Sequence, residues 1–133
     1  MPIEYHIDHS RRLVVARGRG TVTSPDIFGY QREVWSRADV VGYDELVDMS
    51  DVAEIVAGNP VGDNLRALAA ESASTDPEGI PTKFAIVAGE ELAFGLGRMY
   101  QAYRALDPRS TKRIEVFRTL PEALAFLGVE SLS

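Results

Sequence analysis

The chain contains no cysteine, which removes disulfide staples, thiolate nucleophiles and Cys-ligated metal centres together. Histidine is scarce as well. His6 and His9 are three apart on an extended stretch, so their side chains leave opposite faces and do not share a metal. Glu4, His6 and Asp8 share a face but stand about 7 Å apart, too far to chelate one ion. Neither lysine, Lys83 or Lys112, follows a glycine-rich phosphate loop, and no Gly-x-Ser-x-Gly elbow presents a nucleophile. Gly95-Leu96-Gly97-Arg98-Met99-Tyr100 begins like a dinucleotide fingerprint, but it lacks the third glycine and lies inside a helical pattern. No cofactor, metal or catalytic residue is expected. No apolar run approaches the roughly 20 residues of a membrane span, and Met1-Pro2-Ile3-Glu4 has no charged-then-apolar signal layout. The expectation is a cytoplasmic protein without a membrane span.

What is present suits one domain over residues 1–133, with 45% hydrophobic and 26% charged residues. Charge is unevenly spread. Residues 39–91 hold twelve acids against Arg66 and Lys83, whereas each flank is slightly basic and the whole chain is at −6. Such a field repels phosphate backbones and argues against nucleic acid as a partner. Arg104, Arg109, Lys112, Arg113 and Arg118 form a basic cluster, read as a solvated helix end and edge strand.

Periodicity gives alternating elements. Ile3, Tyr5 and Ile7 alternate with polar residues as in a half-buried strand, and Leu13-Val14-Val15-Ala16 makes its antiparallel partner, ended by Gly18 and Gly20. Thr23-Ser24-Pro25-Asp26 starts a helix running from about Pro25 to Arg37, with Ile27, Gln31, Val34 and Ala38 on one side. Leu46-Val47-Asp48-Met49 is a third strand, reached by a right-handed crossover. Asn59-Pro60 repeats the cap signal before a second helix. Lys83 to Ala88 is a buried strand, Glu90-Glu91 open a third helix, Lys112 to Phe117 is the last strand, and Thr119 to Glu122 caps the last helix. The order ββαβαβαβα describes an α/β domain with a mixed, mostly parallel sheet and an N-terminal antiparallel hairpin.

On the third helix, Leu92, Leu96, Met99, Tyr103 and Leu106 follow a 4-3-4-3 spacing, a seam expected to face the sheet. Gly95 and Gly97 weaken a helix by roughly 1 kcal/mol each, so something is expected to approach the backbone there. Ligands of open α/β sheets bind beyond the carboxyl ends of the parallel strands. Those ends supply Arg19 and Thr21, then Ser50, Asp51 and Glu54, then Glu90 and Glu91, then Arg118 and Thr119. Phe94, Arg98, Tyr100 and Tyr103 on the third helix complete the candidate ligand or interaction residues, the aromatic ones as interface anchors.

The element order and the segment Leu46-Val47-Asp48-Met49-Ser50-Asp51-Val52-Ala53-Glu54-Ile55 resemble the STAS domain, the SpoIIAA-like anti-sigma-factor antagonist fold, which carries an Asp-Leu-Ser-x-Val-like phrase at this place. The opening hairpin, Ile3 to Gly20, and the run Leu92-Ala93-Phe94-Gly95-Leu96-Gly97-Arg98-Met99-Tyr100 are similar to the uncharacterised SpoIIAA-like branch, whose fold is shared with Sec14-type lipid-binding domains. In STAS antagonists a phosphorylatable Ser opens the following helix. The corresponding stretch here, Val56-Ala57-Gly58-Asn59, has no hydroxyl residue, and Ser50 stands between Asp48 and Asp51, where a phosphate would be repelled.

The resemblance implies a non-enzymatic cytoplasmic interaction or regulatory module without the usual phosphoacceptor, expected to form a homodimer or meet a protein partner through its third and last helices or a sheet edge. One alternative is a carrier of a small apolar, lipid-like ligand held between sheet and helices around Trp35, Phe84 and Phe94. Another is a metal- or carboxylate-dependent enzyme at the strand ends, using Asp51, Glu54 and Glu90.

Overall fold

Alternating apolar residues make β1 (Ile3–Asp8), and the β-branched run that follows makes β2 (Leu13–Thr23), paired antiparallel with Ile3 opposite Gly18 and Asp8 opposite Leu13. The computed structural model describes residues 2–58 and 61–132. After the hairpin come α1 (Ser24–Val34), a single 3-10 turn (Ala38–Val40), β3 (Asp44–Val56) and α2 (Val61–Ala73). The chain continues with β4 (Thr82–Val87), α3 (Glu91–Ala105), β5 (Lys112–Phe117) and α4 (Leu120–Leu127). The sheet order is β1-β2-β3-β4-β5, and every pairing after the first is parallel. This is the α/β architecture expected from the sequence.

Strand alternation sends the two faces to different helices. Leu13, Leu46, Ala85 and Val87 pack with Ala123 and Leu127 of α4. On the other face, Val14, Ala16 and Val22 meet Tyr30 and Val34 of α1, while Phe84, Ile86, Ile114 and Val116 meet Leu68 of α2 and Tyr100 of α3. The start of α1 is set locally: the Thr23 hydroxyl accepts from the Asp26 amide at 3.4 Å, and the Asp26 carboxylate accepts from the Thr23 amide at 2.8 Å. The helix ends at Val34, one turn before the expected Arg37, because Trp35 turns its indole inward to donate to Glu45 at 3.1 Å.

Three expectations are corrected. Gly18 and Gly20 do not end β2; the strand runs through both to Thr23 and abuts α1 directly. Gly18 is demanded by packing, since a Cβ there would stand 2.7 Å from Val52 Cγ2 and 2.9 Å from Met49 Sδ. β3 does not stop at Met49 but continues to Val56, paired with β2 as far as Thr23, whereas its pairing with β4 covers only Glu45 to Asp48. The two strands therefore overshoot the sheet as a two-stranded ribbon. The face that α3 buries is Ala93, Gly97, Tyr100 and Arg104; of the expected seam, Leu96 and Tyr103 are half-buried and Leu92, Met99 and Leu106 are exposed. The reason is proximity: a Cβ on Gly97 would lie 3.2 Å from Val116 Cγ1, so only small residues let α3 come so near β5. Gly95, by contrast, has nothing within 4 Å of its absent Cβ. The cap at Asn59-Pro60 lies outside the described residues.

Candidate functional site

α2 packs chiefly on α3 instead of on the strands. The space left between it, α1 and the sheet is a cavity of about 120 Å³. The sheet contributes Ala16, Gly18, Val47, Met49 and Ile86; α1 contributes Ile27 and Phe28; α2 contributes Leu65 and Leu68; and α3 contributes Ala93, Leu96 and Gly97.

Two buried polar clusters border it, through Tyr30 and Glu45 and through Tyr100. Glu45, which also lines the cavity, accepts from the Tyr30 hydroxyl at 2.7 Å and from the Trp35 indole at 3.1 Å through one oxygen, and holds Lys112 Nζ at 2.7 Å with the other. The Lys112 ammonium also stands 3.4 Å over the Trp35 ring, an arrangement that suits a desolvated cation. Burial, then the Glu45 charge, pushes the Tyr30 phenol well above its ordinary range, which keeps it a donor. The second cluster joins Arg104 to Asp76, Ser72 and Tyr100: the guanidinium donates to the carboxylate of Asp76 and, at 2.9 Å, to both hydroxyls. Burial raises the Tyr100 phenol too, although Arg104 opposes it.

These clusters correct the expected surface patch of arginines and lysine. Arg104 and Lys112 have side chains only 2% and 5% exposed, each spent on a buried acid. Arg109, Arg113 and Arg118 pair with Asp107, Glu115 and Glu91.

The residues expected at the strand tips are dispersed. Arg19 lies within β2, 3.8 Å from Glu4, and Ser50, Asp51 and Glu54 lie within β3, exposed on the ribbon instead of beyond its end. Ser50 donates to Asp48 at 2.5 Å, and Asp51 and Glu54 stand across from Arg19 and Thr21 in register. Glu90 is the N-cap of α3 without a side-chain bond to the helix. Arg98 is exposed.

The aromatic anchors are covered from within. Phe94 lies under the Arg118 guanidinium at 4.1 Å, Tyr103 lies under Arg66 at 5.5 Å, and Tyr100 is buried. Tyr100 alone of these candidates lines the cavity. Of the aromatic residues expected around an apolar ligand, Phe84 lines the cavity, whereas Trp35 and Phe94 do not. Among the described residues no three His, Asp or Glu side chains gather as a metal site, and no helix is long and apolar enough to cross a membrane.

No family model and no curated protein matches the sequence. Among solved structures, the chain is similar to an uncharacterised protein of the DUF3478 family with a SpoIIAA-like fold from Shewanella loihica PV-4, at a TM-score of 0.58 and 15% identity, covering 94% of this chain and 93% of that one. That match shows the fold alone, which is SpoIIAA-like.

Proposed function

We propose that this chain is a non-enzymatic binding module that takes a small apolar molecule into the cavity between its sheet and α1, α2 and α3. The supporting observation is the void itself, about 120 Å³ and walled almost wholly by apolar side chains. A dry apolar cavity of about 150 Å³ accepts a benzene-sized molecule, so the occupant is a single ring or a short chain. Filling the void recovers the contacts that an empty one forfeits. Titration with toluene tests the reading: methyl resonances of Val47, Leu65 and Ile86 move together and saturate at one equivalent, and the melting temperature rises. No movement of these methyls at the aqueous solubility limit of toluene overturns it.

The exposed row on α3 favours a second reading, contact with a second copy of the chain. Leu92, Met99 and Leu106 are 57%, 40% and 80% exposed, with Gly95 and Ala102 between them. This large-small alternation suits antiparallel packing against the same row of a second copy. Sedimentation equilibrium of the protein and of Met99→Glu tests it: a dimer that Met99→Glu dissociates supports the reading, and a monomer at millimolar concentration ends it.

A further inference from the structure

Three polar side chains line the cavity without belonging to either buried cluster, Ser24, Gln31 and Asn64, and Gln31 is the most deeply buried of them. Gln31 lies on the row Ser24, Ile27, Phe28, Gln31, the face that α1 turns to the cavity, and it is 94% buried by its 6% exposure. Its amide Nε2 donates to Thr75 Oγ1 at 3.1 Å. The orientation of that amide follows from Thr75, whose one hydroxyl hydrogen is already given to the Ser72 carbonyl at 2.8 Å, so the hydroxyl oxygen is left only to accept. The NH₂ end of Gln31 must therefore face Thr75, which turns the carbonyl Oε1 away from it. Among the described residues Oε1 receives no hydrogen bond.

Oε1 is not sealed off, so it is an acceptor that a bound donor can take over from water. Resting on the reading of the cavity as a ligand site, we infer that Gln31 Oε1 is its specificity-determining acceptor, and that the natural ligand is a small neutral apolar molecule carrying one O–H or N–H donor, in the chemical class of phenols and indoles. A carboxylate does not fit. It brings only acceptors to Oε1, it loses its hydration in an apolar space, and the nearby positive group, Lys112, is held by Glu45 at 2.7 Å. A plain hydrocarbon fits the walls but leaves Oε1 unpaired.

The test compares three probes of similar size, phenol, toluene and benzoate, by calorimetric or NMR titration of the native protein and of Gln31→Met, which keeps the side-chain length and removes the acceptor. In the native protein phenol binds at least as tightly as toluene, and benzoate binds at least 10-fold more weakly than phenol. In Gln31→Met the phenol affinity falls by 10-fold or more while toluene stays within about 3-fold, which also reports that the variant is folded. Phenol weaker than toluene in the native protein, or equal losses for both in the variant, overturns the role of Gln31 and leaves the cavity reading standing. If neither phenol nor toluene binds the native protein, the cavity reading itself falls.

Discussion

Lys112 on β5 and Glu45 on β3, 67 positions apart in sequence, hold each other at 2.7 Å with side chains 5% and 3% exposed. Both charges have left water, and each is tolerable only because the other is there. Lys112→Met strands the carboxylate and is expected to cost about 3–5 kcal/mol in urea unfolding. Adding Glu45→Met removes the orphaned charge, so the double variant is expected to recover part of that loss. A double variant as unstable as the sum of the two singles would show that the pair is not coupled.

The two buried phenols give an alkaline signature. Tyr30 and Tyr100 both have raised pKa values, chiefly through burial, so each stays protonated in the fold after an unfolded tyrosine has begun to ionise. Stability from these groups is complete below about pH 10, the ordinary phenol value, and drains away above it. Absorbance at the tyrosinate band is expected to show that Tyr30 and Tyr100, of the five tyrosines, ionise only together with unfolding. Gradual titration of all five while the far-ultraviolet dichroism stays native would contradict this.

At the acid end the informative group is Asp107. Side-chain and then backbone hydrogen bonds from Arg109 hold its carboxyl down to about 2. A depressed carboxyl stabilises the fold above the ordinary aspartate range, and the contribution is lost as pH falls toward 2. Carboxyl-carbon NMR is expected to place its midpoint near 2, and Arg109→Ala to move it up toward 3.8. A midpoint indifferent to Arg109→Ala would assign the shift elsewhere.

Two glycines are expected to respond oppositely to a single methyl group. Gly95→Ala, mid-helix with open space around it, is expected to raise stability by up to about 1 kcal/mol. Gly18→Ala drives a Cβ to 2.7 Å from Val52 Cγ2 and is expected to cost about 1–3 kcal/mol. Thermal unfolding of the pair decides it; two changes of the same sign would refute the packing argument.

Element order was legible because its signals are local. The alternation in Ile3 to Ile7 and the Thr23-to-Asp26 cap each act within a few residues. The ribbon was hidden because its glycines and acids look like strand terminators when each strand is read alone, while β2 and β3 satisfy one another's backbones. The inward face of α3 was misread because large residues normally point inward, and here closeness to Val116 reserves that side for Ala93 and Gly97. Arg104 and Lys112 read as surface cations because their acids, Asp76 and Glu45, are 28 and 67 residues away. Gln31 did carry a signal. It sits in the apolar stripe of α1 between Ile27 and Val34, where an amide marks a buried polar contact, here with Thr75.

The overshooting pair of strands is also where two of the helices around the cavity are rooted. α1 leaves β2 with no intervening loop, and α2 begins within five residues of the end of β3. Two of the three helices that wall the cavity thus join the sheet at the far end of this ribbon, beyond the stretch where β3 pairs with β4. A change in the length or register of the ribbon therefore displaces both attachment points together.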